Sequence, residues 1–114
     1  MKRGEIWTVA GGSDYTGKPR PVIVIQADEF DATESITVCG ITSTDIESPH
    51  FRISLDPSSA NGLTVRSFVM IDKINAVRKI KLGRRIGELS KRNMQHINRA
   101  VALFLGLARK ARRR

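Results

Sequence analysis

The sequence predicts a mostly β fold, a small and strongly curved β-barrel, followed by one C-terminal helix. Two observations carry this. Short apolar or alternating runs recur up to about residue 89, separated by clusters of Gly, Pro, Asn, Asp and Ser. After Ser90, apolar residues recur three and four apart instead. With 114 residues the chain suits one compact domain, which buries roughly two-thirds of its unfolded surface. We expect that domain over residues 1–108, with a basic tail at 109–114.

The elements follow in order. Glu5 to Ala10 mixes β-formers with alternating polarity and reads as a first strand. Gly11 to Pro19 is rich in Gly, with Ser, Asp and Pro, and reads as a surface loop. Pro21-Val22-Ile23-Val24-Ile25 is a continuous β-branched run, as in a strand buried on both faces. A polar, acidic connection over Ala27 to Glu34 leads to a third strand, Ser35 to Ile41, which ends in the hydroxyl-rich Thr42-Ser43-Thr44-Asp45. Phe51 to Leu55 alternates as a half-buried strand does; Asp56-Pro57-Ser58-Ser59 and Asn61-Gly62 are turns. Leu63 to Ile71 reads as a strand. Asp72 to Gly83 reads as irregular with a short strand near Val77 to Ile80, and Arg85 to Leu89 as a last short strand. Ser90 is placed to cap a helix whose Met94, Ile97, Val101, Phe104 and Ala108 form one apolar stripe, expected to pack in the core.

Charge is unevenly distributed. Residues 1–77 carry 7 Lys/Arg and 10 Asp/Glu, a net −3, whereas residues 78–114 carry 13 and 1, a net +12. Such asymmetry points to a polyanionic partner: nucleic acid, an acidic protein segment or an anionic membrane surface. A solvated basic tail that only aids solubility is the competing reading. Aromatic residues make up 5% of the chain, too few for an RNA site built mainly on stacking platforms. The single cysteine, Cys39, excludes an internal disulfide and sits in an apolar run, where a buried small hydrophobe is expected. No signal peptide is visible at the start, and Ala100 to Ala108 is too short an apolar run to span a bilayer, so a cytoplasmic protein is the expectation.

The chemistry available is limited. Two histidines, His50 and His96, lie far apart and fit no metal-ligand spacing; no phosphate loop, dinucleotide fingerprint or nucleophile elbow is present. Neither a metal nor another cofactor is expected, and any catalysis must use Arg, hydroxyls and carboxylates. That suffices to cut RNA, which carries its own nucleophile in the 2′-hydroxyl beside the scissile phosphate. Arg20 lies between Pro19 and Pro21 at the opening of a buried strand, so a planar guanidinium suited to phosphate oxygens is rigidly placed. An ordinary strand-end arginine is the alternative. Thr42 and Ser43 offer hydroxyls at the end of the next strand, although such residues are also common turn formers. Glu5 reads either as a group that orients Arg20 or contacts a base, or as a carboxylate paired to a strand neighbour. Trp7 reads as core or barrel wall, His50 as a solvated loop residue and His96 as structural.

Taken together, Arg3-Gly4-Glu5-Ile6-Trp7, Arg20-Pro21-Val22-Ile23-Val24-Ile25 and Ile41-Thr42-Ser43 resemble the MazF/PemK (Kid) toxins of bacterial toxin–antitoxin modules. The likeness extends to Ser54-Leu55-Asp56, Val69-Met70-Ile71-Asp72 and the terminal helix, and covers most of residues 2–108. It implies a CcdB/PemK-type SH3-like barrel that forms homodimers. It also implies cleavage of single-stranded mRNA at short sequences without metal, leaving a 2′,3′-cyclic phosphate and a 5′-hydroxyl. By the same resemblance Arg20 and Thr42 are the catalytic pair, Ser43 is the following hydroxyl, and Asp72 matches an acidic position near the end of the fifth strand; Ser43, Glu5 and Asp72 are expected to be RNA-binding or accessory. Two departures stand out. Met70 occupies a position where some relatives carry Arg, and the first loop holds Asp14 and Tyr15 where some carry His.

The partners this implies are single-stranded RNA and an acidic, MazE-like antitoxin, with no membrane. The basic end is expected to strengthen attraction to one or both, and salt to weaken RNA binding steeply through counterion release. Two non-enzymatic readings compete on the same fold: a CcdB-like gyrase poison and a basic nucleic-acid-binding module.

Overall fold

The computed structural model describes residues 1–10 and 18–109. Most of the expected first loop, with Asp14 and Tyr15, and the basic end beyond Arg109 lie outside the described residues. Six strands form a single antiparallel sheet: β1 (Glu5–Val9), β2 (Arg20–Val24), β3 (Ser35–Thr42), β4 (Arg52–Leu55), β5 (Ser67–Arg78) and β6 (Leu82–Glu88), in the order β4-β5-β3-β2-β1-β6. One helix follows, α1 (Lys91–Phe104), and short 3-10 turns occupy Asp28–Phe30 and Lys79–Lys81.

Because successive strand side chains point to opposite faces, the continuous apolar run of β2 feeds two clusters. Ile23 joins Ile6, Cys39, Ile41, Val69 and Ile71 in the main core, which Ile97 and Ala100 of α1 cover. Val22 and Val24 join Ile36 and Val38 in a smaller cluster, flanked by Trp7, Val9, Val77 and Leu82. The both-face burial expected of this run is therefore observed. So is the wall position of Trp7, whose indole N–H donates to Glu5 Oε1 at 3.1 Å.

The strands alone do not close a cylinder. Among the described residues the sheet ends at β4 and β6, and the turn after β4 fills the gap between them. The Ala60 carbonyl accepts from Glu88 N at 2.9 Å. Gly62 has φ +70°, and a Cβ there would lie 2.0 Å from the Ile86 carbonyl oxygen. Only glycine permits both the left-handed backbone and that approach. Buried Asn61 locks the turn: its Oδ1 accepts from Ser58 N and Leu63 N, each at 3.0 Å, and its Nδ2 donates to the Asp56 carbonyl at 2.8 Å. The predicted Asn61-Gly62 turn is thus the seam of a barrel-like fold.

The largest difference from expectation lies in β5. Its start is Ser67 rather than Leu63, and it runs on through Arg78, so most of the segment expected to be irregular is a strand. The reason is a step in register. Ile41 pairs with Val69 and Cys39 with Ile74, so Gly40 alone faces the stretch from Met70 to Lys73. The extra residues break the period-two pattern that a strand normally shows. Similarly, β6 begins at Leu82 rather than Arg85, with two shifts in its pairing to β1.

The helix begins as expected: Ser90 Oγ accepts from Asn93 N at 3.1 Å. Its stripe is shorter than the spacing suggested. Ile97 is buried, but Phe104 is 47% exposed and Ala108 lies beyond the helix. The Phe104 ring leans on Phe51, with centroids 5.9 Å apart, at the rim of the core. His96, expected to be structural, is exposed on the helix surface.

Candidate functional site

A groove of about 590 Å³ lies on the outer face of the sheet, over the smaller apolar cluster. Strands β1, β2, β3 and β5 line it. Arg20 opens β2 opposite Val9; two residues on, Val22 faces Gly40; two residues further along β3 comes Thr42. The alternation of strand side chains therefore directs Arg20, Val22 and Thr42 to one face. All three line the groove. Its floor depends on Gly40, where a Cβ would lie 2.6 Å from the Met70 Cε: the missing side chain makes room for the methionine tip.

The structure thus brings together the two residues expected to be catalytic. Thr42 is half-buried, and its Oγ1 accepts from Thr44 N at 3.2 Å, which fixes the hydroxyl oxygen at the strand end. The other candidates lie elsewhere. Ser43 is exposed past the end of β3 and does not line the groove. Glu5 lies four residues along β1 from Val9, the ladder partner of Arg20, a separation of about 13 Å. It is engaged at that far end. Arg85 Nε donates to Glu5 Oε2 at 2.9 Å, and Lys2 N donates to Oε1 at 2.8 Å. Burial pushes the Glu5 carboxyl up, but the bonds from Lys2, Trp7 and Arg85 outweigh it and leave the group below its ordinary value. Of its two readings, the paired strand carboxylate is the one this geometry favours.

Asp72 faces β4 instead of the groove. Arg52 Nε donates to its Oδ1 at 2.8 Å and Arg52 Nη2 to its Oδ2 at 3.0 Å, a planar two-point contact. The Arg52 side chain is only 8% exposed and that of Asp72 23%. The hydrogen bonds from Arg52 hold the Asp72 carboxyl below its ordinary value, with burial working against them. Asp72 likewise raises the pKa of Arg52. Lys73, the next residue, turns the other way and lines the groove, as does Asn75. Both were missed in the sequence because their segment did not read as a strand. A period-two scan that allowed one bulge would have found them.

The remaining reactive groups stand apart. Cys39 is fully buried, and burial pushes its thiol up to about 11, which leaves it inert. His50 and His96 are exposed and line a shallow groove between α1 and the loop before β4. Among the described residues, no three His, Cys, Asp or Glu side chains converge as metal ligands would. No helix among them is long and apolar enough to cross a membrane.

Comparison with known proteins places this chain and its fold among relatives. The family described as "PemK-like, MazF-like toxin of type II toxin-antitoxin system" matches residues 2–105. The chain is 46% identical over 108 residues to the "Probable endoribonuclease MazF" of Mycolicibacterium smegmatis, covering 95% of this chain and 99% of that one. It is 31% identical to "Endoribonuclease MazF9" of Mycobacterium tuberculosis, covering 94% and 98%. Among solved structures, an "Endoribonuclease in complex with its cognate antitoxin from Mycobacterial species" superposes with a TM-score of 0.78 at 25% identity, covering 96% of this chain and 99% of that chain.

The Arg52–Asp72 pair gives the fold a dependence on acid. A carboxyl whose pKa is depressed by folding stabilises the native state above its unfolded value, about 3.9, and that contribution is lost as pH falls through the lower folded value. Asp72→Asn leaves Arg52 buried without its anion and should cost about 3 kcal/mol at neutral pH. Thermal melts at about pH 7 and about pH 3 check this: the wild type should lose more stability than the variant across that interval. Parallel losses would show that the pair does not stabilise the fold.

Proposed function

The chain belongs to the PemK/MazF family of endoribonuclease toxins of type II toxin–antitoxin systems, and from that premise we propose that it cleaves single-stranded mRNA with Arg20 and Thr42 as its catalytic pair. The observation that carries this reading is their convergence from two rigid strands onto one groove.

The reaction follows from the substrate. The 2′-oxygen attacks the adjacent phosphorus and gives up its proton. A P–O2′ bond forms and the P–O5′ bond breaks. The departing 5′-oxygen takes a proton, and the products are a 2′,3′-cyclic phosphate and a 5′-hydroxyl. The Arg20 guanidinium offers parallel N–H donors to the oxygens of the phosphorane, where negative charge accumulates. The Thr42 hydroxyl holds a phosphate oxygen or the 2′-oxygen in line. Proximity of this kind lowers the barrier because orientation is fixed before the reaction begins. Nothing in these steps requires a metal ion, and cleavage without one is what the proposal expects.

As a toxin of this family it acts on cytoplasmic mRNA and is held inactive by an acidic antitoxin, to which the surplus of basic residues in the last third of the chain is complementary. A solved relative is in complex with its cognate antitoxin. We further assign it a homodimeric state. Light scattering at micromolar concentrations should give twice the 12.7 kDa chain mass, and a monomeric mass would remove that assignment.

The experiment for the activity is incubation with a long mixed-sequence single-stranded RNA and with DNA of matching sequence, each with and without EDTA. The RNA should be cut at discrete sites to fragments with 5′-hydroxyl ends, undiminished by EDTA. The DNA should survive because it lacks the 2′-hydroxyl. Cleavage of DNA, or cleavage only when Mg²⁺ is present, would contradict the mechanism. Intact RNA would leave the non-enzymatic readings of this fold.

A further inference from the structure

Lys73 is a cation at the groove whose charge helps to lower the neighbouring Asp72 carboxyl but which, among the described residues, is held in no ion pair. Its neighbour Asp72 is held toward β4 by two hydrogen bonds from Arg52, at 2.8 and 3.0 Å, while Lys73, the next residue of the register step, lies on the groove side. There it lines the same groove as Arg20 and Thr42. Among the described residues no carboxylate lies within ion-pair distance of it, whereas Lys79 on the same hairpin is paired with Asp31 at 3.6 Å. The side chains around it, including Met70 and Val77, are mostly apolar. An ammonium outside any ion pair, beside an apolar floor, attracts an anion from solution.

Position sets which anion. Strand β3 alone separates β2 from β5, about 10 Å across the sheet, and Arg20, level with Thr42, is offset from Lys73, next to the Cys39–Ile74 pair, by roughly a further 7–10 Å along the strands. Both side chains are long, and both open on one groove. If Arg20 takes the scissile phosphate, Lys73 is directed to another phosphate of the same strand. We propose that Lys73 binds the RNA phosphate next to the scissile one, as a point charge that holds the substrate without taking part in bond cleavage. The register step in β5 is what aims it, because the four residues facing Gly40 include both the anchored Asp72 and Lys73.

This rests on the RNA-cleaving reading above, so its test begins with the wild-type chain. One cleavage site is mapped in a mixed-sequence RNA, and a short oligonucleotide spanning it is made with a 2′-deoxy nucleotide at the cut, so that it binds but is not cleaved. Binding is measured across a salt series for the wild type, Lys73→Gln, Lys73→Arg and Lys91→Gln. Lys91 is an exposed cation at the start of α1, outside the groove. Lys73→Gln should weaken binding about 3- to 10-fold and lower the slope of log affinity against log salt by about 0.7, the value for one phosphate contact on a single strand. Lys73→Arg should restore both, and Lys91→Gln should change neither. In single-turnover cleavage of the all-ribose RNA, Lys73→Gln should raise the half-saturating concentration while its rate at saturation stays within about threefold of wild type.

An unchanged salt slope in Lys73→Gln, an equal change in Lys91→Gln, failure of Lys73→Arg to restore binding, or a loss confined to the saturated rate would each overturn the assignment. If the wild type cleaves and the slope is unchanged, Lys73 alone is reassigned and the RNA-cleaving reading stands. If the wild type leaves RNA intact, the parent reading falls and takes the assignment with it.

Discussion

The register step between β3 and β5 is the constraint on which the rest of the structure depends. Between the pairs Cys39–Ile74 and Ile41–Val69, one residue of β3, Gly40, faces four of β5, Met70 to Lys73. At this step β5 stops being flanked on both sides. Its first residues lie between β4 and β3, and beyond Met70 it pairs with β3 alone. The bend lets Ile71 and Ile74 both reach the main core despite a spacing that a regular strand forbids. A step of this kind exposes backbone and needs an anchor. Arg52 supplies it by gripping Asp72 inside the step, and Ile71 N donates to the Phe51 carbonyl at 2.9 Å beside it.

Separate roles for the two faces follow. The inner face gains stability from side chains such as Ile6, Ile23, Val69, Ile71 and Ile97, all fully buried, each worth about 1.5–3 kcal/mol relative to exposure. That surplus lets the outer face carry residues poorly suited to holding a sheet together: a glycine at position 40, a flexible methionine at 70, and cations at 20 and 73. Rigid strands hold the proposed catalytic pair, while the cationic charge that attracts RNA is spread more widely. The arrangement also gives meaning to Met70. Where some relatives carry an arginine, a thioether occupies the space over Gly40, and the second cation of the groove comes from Lys73, three residues later.

Much of this was legible in the sequence, and the parts that were not have physical reasons. The β-branched run of β2 announced burial on both faces because no polar residue interrupts it from Val22 to Ile25. Ser90 announced the helix because a hydroxyl there satisfies an otherwise orphaned N–H. Arg20 and Thr42 were legible as strand-end residues, and pairing of β2 with β3 does the rest. The long β5 was not, because its inserted residues erase the alternation by which strands are recognised. Nor was the role of Asp72, whose partner Arg52 lies 20 residues away and meets it only through the sheet. Phe104 kept the helical spacing but outran the core, so its ring rests on Phe51 at the edge.

One groove unites the Arg20 guanidinium with the Thr42 hydroxyl, which we propose act together at the scissile phosphate. Single-turnover cleavage at saturating RNA, read beside thermal melts, tests it most directly. Arg20→Ala should lose about 100-fold or more in rate while remaining folded. Arg20→Lys should stay impaired because it keeps the charge without the planar fork. Thr42→Val, nearly isosteric, should lose about tenfold or more. An Arg20→Ala protein that melts like the wild type and cleaves at the wild-type rate would contradict the claim and place the chemistry elsewhere on the surface.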